Sequence, residues 1–194
     1  GTLGITSTGA VTDSGTLAVT GATTISASGQ DITLSETAST FGTISLTGAN
    51  VVVTEAAATD LGASTVSGTL GITSTGAVTD SGTLAVTGTT TISASGQDIT
   101  LSDASSTFGT LALTGANVAV TEAAATDLGA STVSGTLGIT STGAVTDSGT
   151  LAVTGATTIS ASGQDITLSE TASTFGTISV TGANVAITEA AATE

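Results

Sequence analysis

The chain has 194 residues, carries fifteen acidic side chains and no Lys, Arg or His, and so has a net charge of −15. A chain with no cation repels nucleic acid and anionic membrane surfaces, because both are bound by neutralising phosphate. No apolar run reaches the ~18–20 residues that span a bilayer, no disulfide or thiol chemistry is available without Cys, and no charged segment followed by an apolar stretch opens the sequence.

Self-similarity organises the rest. GTLGITSTGAVTDSGTLAVTG begins at Gly1 and returns, almost unchanged, at Gly68 and Gly135. Two units of equal length, 1–67 and 68–134, are followed by a shorter third, 135–194. The missing Met, the start at a unit boundary and the stop inside a unit lead us to expect an excerpt from a longer chain. Within a unit one heptapeptide recurs as Gly15–Gly21, Gly42–Gly48 and Gly62–Gly68, and then again from Gly82, so that one long step is followed by two shorter, equal ones. The expected unit is therefore three subrepeats of about twenty residues, one with an insertion.

Inside the subrepeats the apolar period is two. Leu17 and Val19 alternate with Thr16, Ala18 and Thr20, and Ile44 and Leu46 alternate with Thr43, Ser45 and Thr47. Further strands are expected over 23–28 around Ile25, 50–54 with Val51 and Val53, and 69–74 with Leu70 and Ile72. Shorter apolar elements follow at Ile32 and Leu34, at Leu61 and at Val78. Such alternation bounded by Gly reads as half-buried strands. Glu55-Ala-Ala-Ala-Thr59 is too short for a helix and reads as a turn. Comparing the copies supports the assignment. Inward sites exchange only aliphatics (Ile44, Leu111, Ile178), whereas outward sites vary freely (Val52 against Ala119, Ala22 against Thr89).

Short strands returning with one apolar side at a fixed spacing predict an all-β fold, a right-handed parallel β-helix (β-solenoid) with about three rungs per 67-residue repeat. At ~4.8 Å per rung that is about nine rungs and roughly 40 Å of rod. Phe41, Phe108 and Phe175 read as corner fillers, and the glycines at strand ends as a turn requirement.

Chemistry is sparse. Acidic residues recur in five columns: Asp13, Asp80 and Asp147; Asp31, Asp98 and Asp165; Glu36, Asp103 and Glu170; Glu55, Glu122 and Glu189; Asp60, Asp127 and Glu194. The first reading is a solvated acidic face, and the alternative is a weak Ca²⁺ site or Ca²⁺-dependent bundling, since carboxylates with hydroxyl oxygens suit a hard cation. No catalytic, cofactor or metal residue is assigned. Ser lacks any His or Lys to act as base, which argues against an enzyme, and a polysaccharide-active β-helix is a remote reading. So is ice binding by the outward Thr16, Thr20, Thr43 and Thr47.

TLGITSTGAVTDSGTLAVTGATTISASGQDITL and FGTISLTGANVVVTEAAATDLGASTVSG resemble the β-strand repeats of very large bacterial exoproteins, akin to the filamentous-haemagglutinin family of adhesins. The resemblance implies a β-helix on a secreted or cell-surface bacterial protein, used as a stalk, adhesive fibre or matrix filament. It carries over no site residues. The expected function is a passive extracellular rod that associates end to end, with no nucleic-acid partner and no membrane insertion.

Overall fold

A computed structural model describes residues 1–190. Every regular element among them is a strand, and nearly all of these strands join one continuous parallel sheet. The first rung shows the plan: Leu3–Thr6, Val11–Thr12 and Ala18–Val19. The next rung lays Thr23–Ser26 on the first of these, Ile32–Leu34 on the second and Thr40–Phe41 on the third. The expected β-solenoid is what the chain forms.

Two long stacks of strands run the length of the rod. One is followed through Leu3, Thr23, Ile44 and Leu61. Thr59, on the same strand as Leu61, continues it through Val78, Ile99, Val118, Leu137, Thr157 and Ile178. The other passes through Val11, Ile32, Val51, Leu70, Thr90, Leu111 and Leu128. Its strand Thr126–Leu128 then pairs with Val145–Asp147. The steps vary in length: Ile44 to Leu61 is among the shortest and Val78 to Ile99 among the longest. Each such step is one closed rung.

The second stack reaches Val145 from Val11 in seven steps, and Val145 is the counterpart of Val11 two whole units further on. One unit therefore contains the expected three rungs and a further half turn. Leu3 and Leu137 lie in the first stack, and their equivalent Leu70 lies in the second. Successive units alternate sides of the rod. The heptapeptides mark the cause. Those separated by a short step stack, Ser64 under Leu84 and Val66 under Val86, but Thr110–Gly115 leaves that line and sits on Thr89–Ser93. The extra residues of the long step are not an extruded insertion; they carry the chain on to the other stack.

The core is the column of inward aliphatics. Ile44, Val51, Val53, Leu111 and Val133 are fully buried, whereas Val52, one residue out of phase, is 44% exposed. Phe41 and Phe175 are buried at strand ends and Phe108 beside the Thr107 bridge, as corner fillers should be. The turn expected over 55–59 is narrower: Glu55 ends the strand Val51–Glu55, Thr59 begins Thr59–Leu61, and 56–58 connect them.

The strand-end glycines have a different role from the expected one. Among the described residues only Gly29, Gly96 and Gly163 have positive φ, at 71°, 73° and 74°, and they occupy the Ser-Gly-Gln-Asp turn outside the heptapeptides. Apart from Gly15, which has open space around it, the heptapeptide glycines are required by space: a Cβ on Gly42 would lie 2.7 Å from the carbonyl oxygens of Thr20 and Gly21 on the rung below.

Among the inward positions that break the apolar rule, one leaves its hydroxyl unpaired. Thr23, Thr90 and Thr157 occupy the site below Ile44, Leu111 and Ile178, are buried, and have hydroxyls without a hydrogen-bond partner. A buried unpaired hydroxyl costs free energy that an isosteric methyl does not. Thr90→Val is expected to stabilise the fold by about 1 kcal/mol, read from the denaturant midpoint, and loss of stability would show a partner for that hydroxyl.

Candidate functional site

The acidic columns are the only recurrent ionisable groups, and the structure places them at rung junctions. Asp13 accepts hydrogen bonds from the Ser35 and Glu36 N–H groups (2.9 and 3.2 Å) on the next rung. Asp80 accepts from Ser102 N–H and Asp103 N–H (2.7 and 3.1 Å), and Asp147 from Ser169 N–H and Glu170 N–H (2.6 and 3.2 Å). Each pins the start of the loop that ends at the corner Phe. Backbone amides left exposed by the break in the ladder are thereby satisfied.

The second column forms a ladder with asparagine. Asp31 Oδ1 accepts from both Asn50 N–H and Asn50 Nδ2 (3.1 and 3.0 Å), and Asn50 Oδ1 accepts from Thr69 N–H and Thr69 Oγ1 (both 3.1 Å). Asp98, Asn117 and Thr136 repeat it one unit further on, and Asp165 with Asn184 begin it again. In the third column Asp103 accepts from Thr83 Oγ1 and Ser105 N–H. In the fifth, Asp60 accepts from Thr43 Oγ1 and Ser81 Oγ, and Asp127 from Thr110 Oγ1 and Ser148 Oγ. Glu194 lies outside the described residues. Members of one column are three and a half rungs apart on alternating sides, roughly 17 Å along the axis.

The fourth column corrects the reading of a uniformly solvated acidic face. Glu55 and Glu122 are only 1% exposed. Phe41 N–H donates to Glu55 Oε1 at 2.7 Å, and Phe108 N–H to Glu122 Oε1 at 2.8 Å. Thr126 Oγ1 donates to Glu122 Oε2 at 2.8 Å, whereas the equivalent Thr59 hydroxyl donates to Ser74 Oγ and Glu55 Oε2 has no partner. Burial pushes both carboxyls above the ordinary glutamate range, against the smaller pull of the Phe amides and, at Glu122, of the Thr126 hydroxyl. Glu189 is more open and accepts from Phe175 N–H at 3.3 Å.

Two further groups escaped the sequence reading. Ser39, Ser106 and Ser173 are fully buried and accept from the Leu17, Leu84 and Leu151 N–H groups. Ser64 and Ser131 do the same for Leu46 and Leu113. A shallow hollow of about 170 Å³ opens on the outward face of the first stack. Gly138 forms its floor between Ala119 and Thr158, and Ser102, Thr121 and Thr140 stand around it. Its lining offers hydroxyls and methyls. Among the described residues no group of three acidic side chains converges as a metal site.

This ladder of latches returns with a fixed period, and the period is one that other chains share. A family model described as repeats of unknown function (DUF5649) matches residues 1–47, 48–114 and 115–182. The chain belongs to that family. The middle DUF5649 match, 48–114, is as long as one unit and begins about one rung before Gly68. Its boundary falls where Thr43–Gly48 ends, beside the Asn50 ladder. No match was found among curated proteins or among solved structures.

Proposed function

We propose that this DUF5649 array is a structural rod outside a bacterial cell, a fibre or stalk of the kind used by filamentous-haemagglutinin-like adhesins or a matrix filament. The observation that carries the reading is the continuity of the stack. Each unit ends half a turn out of phase with its start, so the next unit continues the same parallel ladder without a break. The polar side chains of each unit serve that continuity: carboxylates, amides and hydroxyls bind the rung above or below. Stability in such a rod is close to a sum of neighbour terms, so length is added without redesign. Open strand edges at a rung invite pairing with another chain, which supports end-to-end self-association. With no Lys or Arg, the rod offers no trypsin-type cleavage site, a useful property in an extracellular setting.

Electron microscopy with fibre diffraction tests it. Filaments with a ~4.8 Å meridional spacing and a unit rise near ~17 Å are expected. Dispersed single particles at high concentration would remove the polymerising form of the proposal. Bundling only after addition of Ca²⁺ would replace it with a cation-bridged fibre.

A further inference from the structure

Among the described residues, the buried glutamates hold a part of the fold that no other side chain secures from that side. The corner loop 102–108 leaves the sheet after Leu101, touches it again where Thr107 bridges Ala85, and passes through Phe108 to the strand that begins at Thr110. From below, Asp80 holds its first amides and Leu84 N–H donates to Ser106 Oγ. From above, Ala123 N–H donates to Ser106 O at 2.8 Å, and Glu122 takes the Phe108 N–H. Loop 35–41 is held in the same way by Asp13, Ala56 N–H and Glu55.

A carboxylate as deeply buried as these needs a counter-charge or a proton. The chain contains no side-chain cation. The titratable groups on the elements packed around Glu122 are Asp103 in the loop and Asp127 beyond Thr126; the strand above, Leu137–Ser141, has none. Around Glu55 they are Glu36 in the loop and Asp60 beyond Thr59, and Leu70–Ser74 has none. All are acids. A glutamine could accept from the same Phe amide at every pH; a glutamate makes the hold conditional.

We infer that Glu55 and Glu122 are proton-operated latches, closing the Phe41 and Phe108 corner loops on the next rung when neutral and loosening them when ionised. Ionisation leaves a buried charge facing only acids and amide or hydroxyl donors, and the relief is outward movement of the carboxylate into water. That movement removes the acceptor of the Phe amide and frees the loop that Ser106 and Phe108 anchor. The sign follows from the burial. A carboxyl held above 4.5, its ordinary value, in the folded chain contributes stability that is complete in acid and is lost as pH rises through its folded value. The corners are thus tight in mildly acidic surroundings and looser at higher pH.

The chain has no cysteine, so Ser106→Cys places a single thiol on the buried side of the latch. Its labelling rate, divided by that of a free thiol at the same pH, is expected to rise several-fold from mildly acidic to mildly alkaline solution, as the carboxyl ionises. The same thiol in a Glu122→Gln background is expected to stay slow throughout. An equal rise in both backgrounds, or none in either, overturns the latch. Carboxyl ¹³C NMR of the unsubstituted chain gives an independent reading that does not depend on the cysteine variant folding. Two glutamates, assigned by their loss in Glu55→Gln and Glu122→Gln, are expected to titrate above the ordinary value of 4.5. Titration of both at or below that value overturns the proposal.

Discussion

Replacing Val120 with aspartate is expected to unfold the rungs on either side of it, whereas the same change at Ala119 leaves the rod intact. Val120 is 3% exposed and lies in register between Leu101 below and Ile139 above. An aspartate there is an unpaired charge in an aliphatic column, which costs about 3–5 kcal/mol, and the valine burial lost with it is worth about 1.5 kcal/mol or more. Ala119 is exposed, between Thr100 and Gly138 on the outward face, and a surface substitution of that kind moves stability by about 0.5 kcal/mol at most. Since each rung touches only its neighbours, the damage stays local and the rod is cut rather than melted. Chymotrypsin reads that break, because Phe108 is 5% exposed in the intact fold. Cleavage there in Val120→Asp and protection in Ala119→Asp is the expected pair; equal sensitivity would mean that the inward and outward registers are wrong.

That register was the most legible property of the sequence, since a period of two is a direct consequence of strand geometry. It reaches further than the aliphatics. Val51, Val53 and Glu55 share one parity, so the alternation that buries the two valines also buries the glutamate. Thr23 with Ile25, and Ser64 with Val66, follow the same rule. Those polar residues look like surface by composition, and parity contradicts that. The half turn per unit was hidden for another reason. Period two fixes which side a residue faces, but not how many residues close a rung. A rung as short as Ile44 to Leu61 and one as long as Val78 to Ile99 satisfy the same pattern. The heptapeptide spacing suggested whole rungs because two of its three steps are whole rungs. Nor could the rung junctions be read in advance. The Asp13 contacts with Ser35 and Glu36 join residues a full rung apart, and depend on the rung length that the pattern leaves open.

Glycine is the residue for which sequence and structure give opposite reasons, and two alanine substitutions separate them. Gly109→Ala is expected to destabilise the rod by about 1–3 kcal/mol, the range for overpacking a filled site. Its φ is not positive, so alanine is conformationally allowed. The obstacle is the backbone of the rung below, where the new methyl would collide with the carbonyl oxygens of Thr87 and Gly88. Backbone in a hydrogen-bonded sheet cannot move aside as a flexible side chain can, so the rungs must separate. Gly138→Ala should do the reverse. The nearest atom to its Cβ is the Val118 carbonyl oxygen at 3.8 Å, an ordinary contact, and the methyl points into the open hollow. Alanine in place of a strand glycine there gains about 0.5–1 kcal/mol by restricting the unfolded chain. The repeat supplies internal replicates: Gly42 and Gly176 are crowded as Gly109 is, and Gly71 is open as Gly138 is. Thermal unfolding should therefore show destabilisation by alanine at Gly42, Gly109 and Gly176 and stabilisation at Gly71 and Gly138. A common sign for all of them would return the strand-end glycines to a turn requirement and remove rung-to-rung contact as the reason this sequence is so rich in glycine.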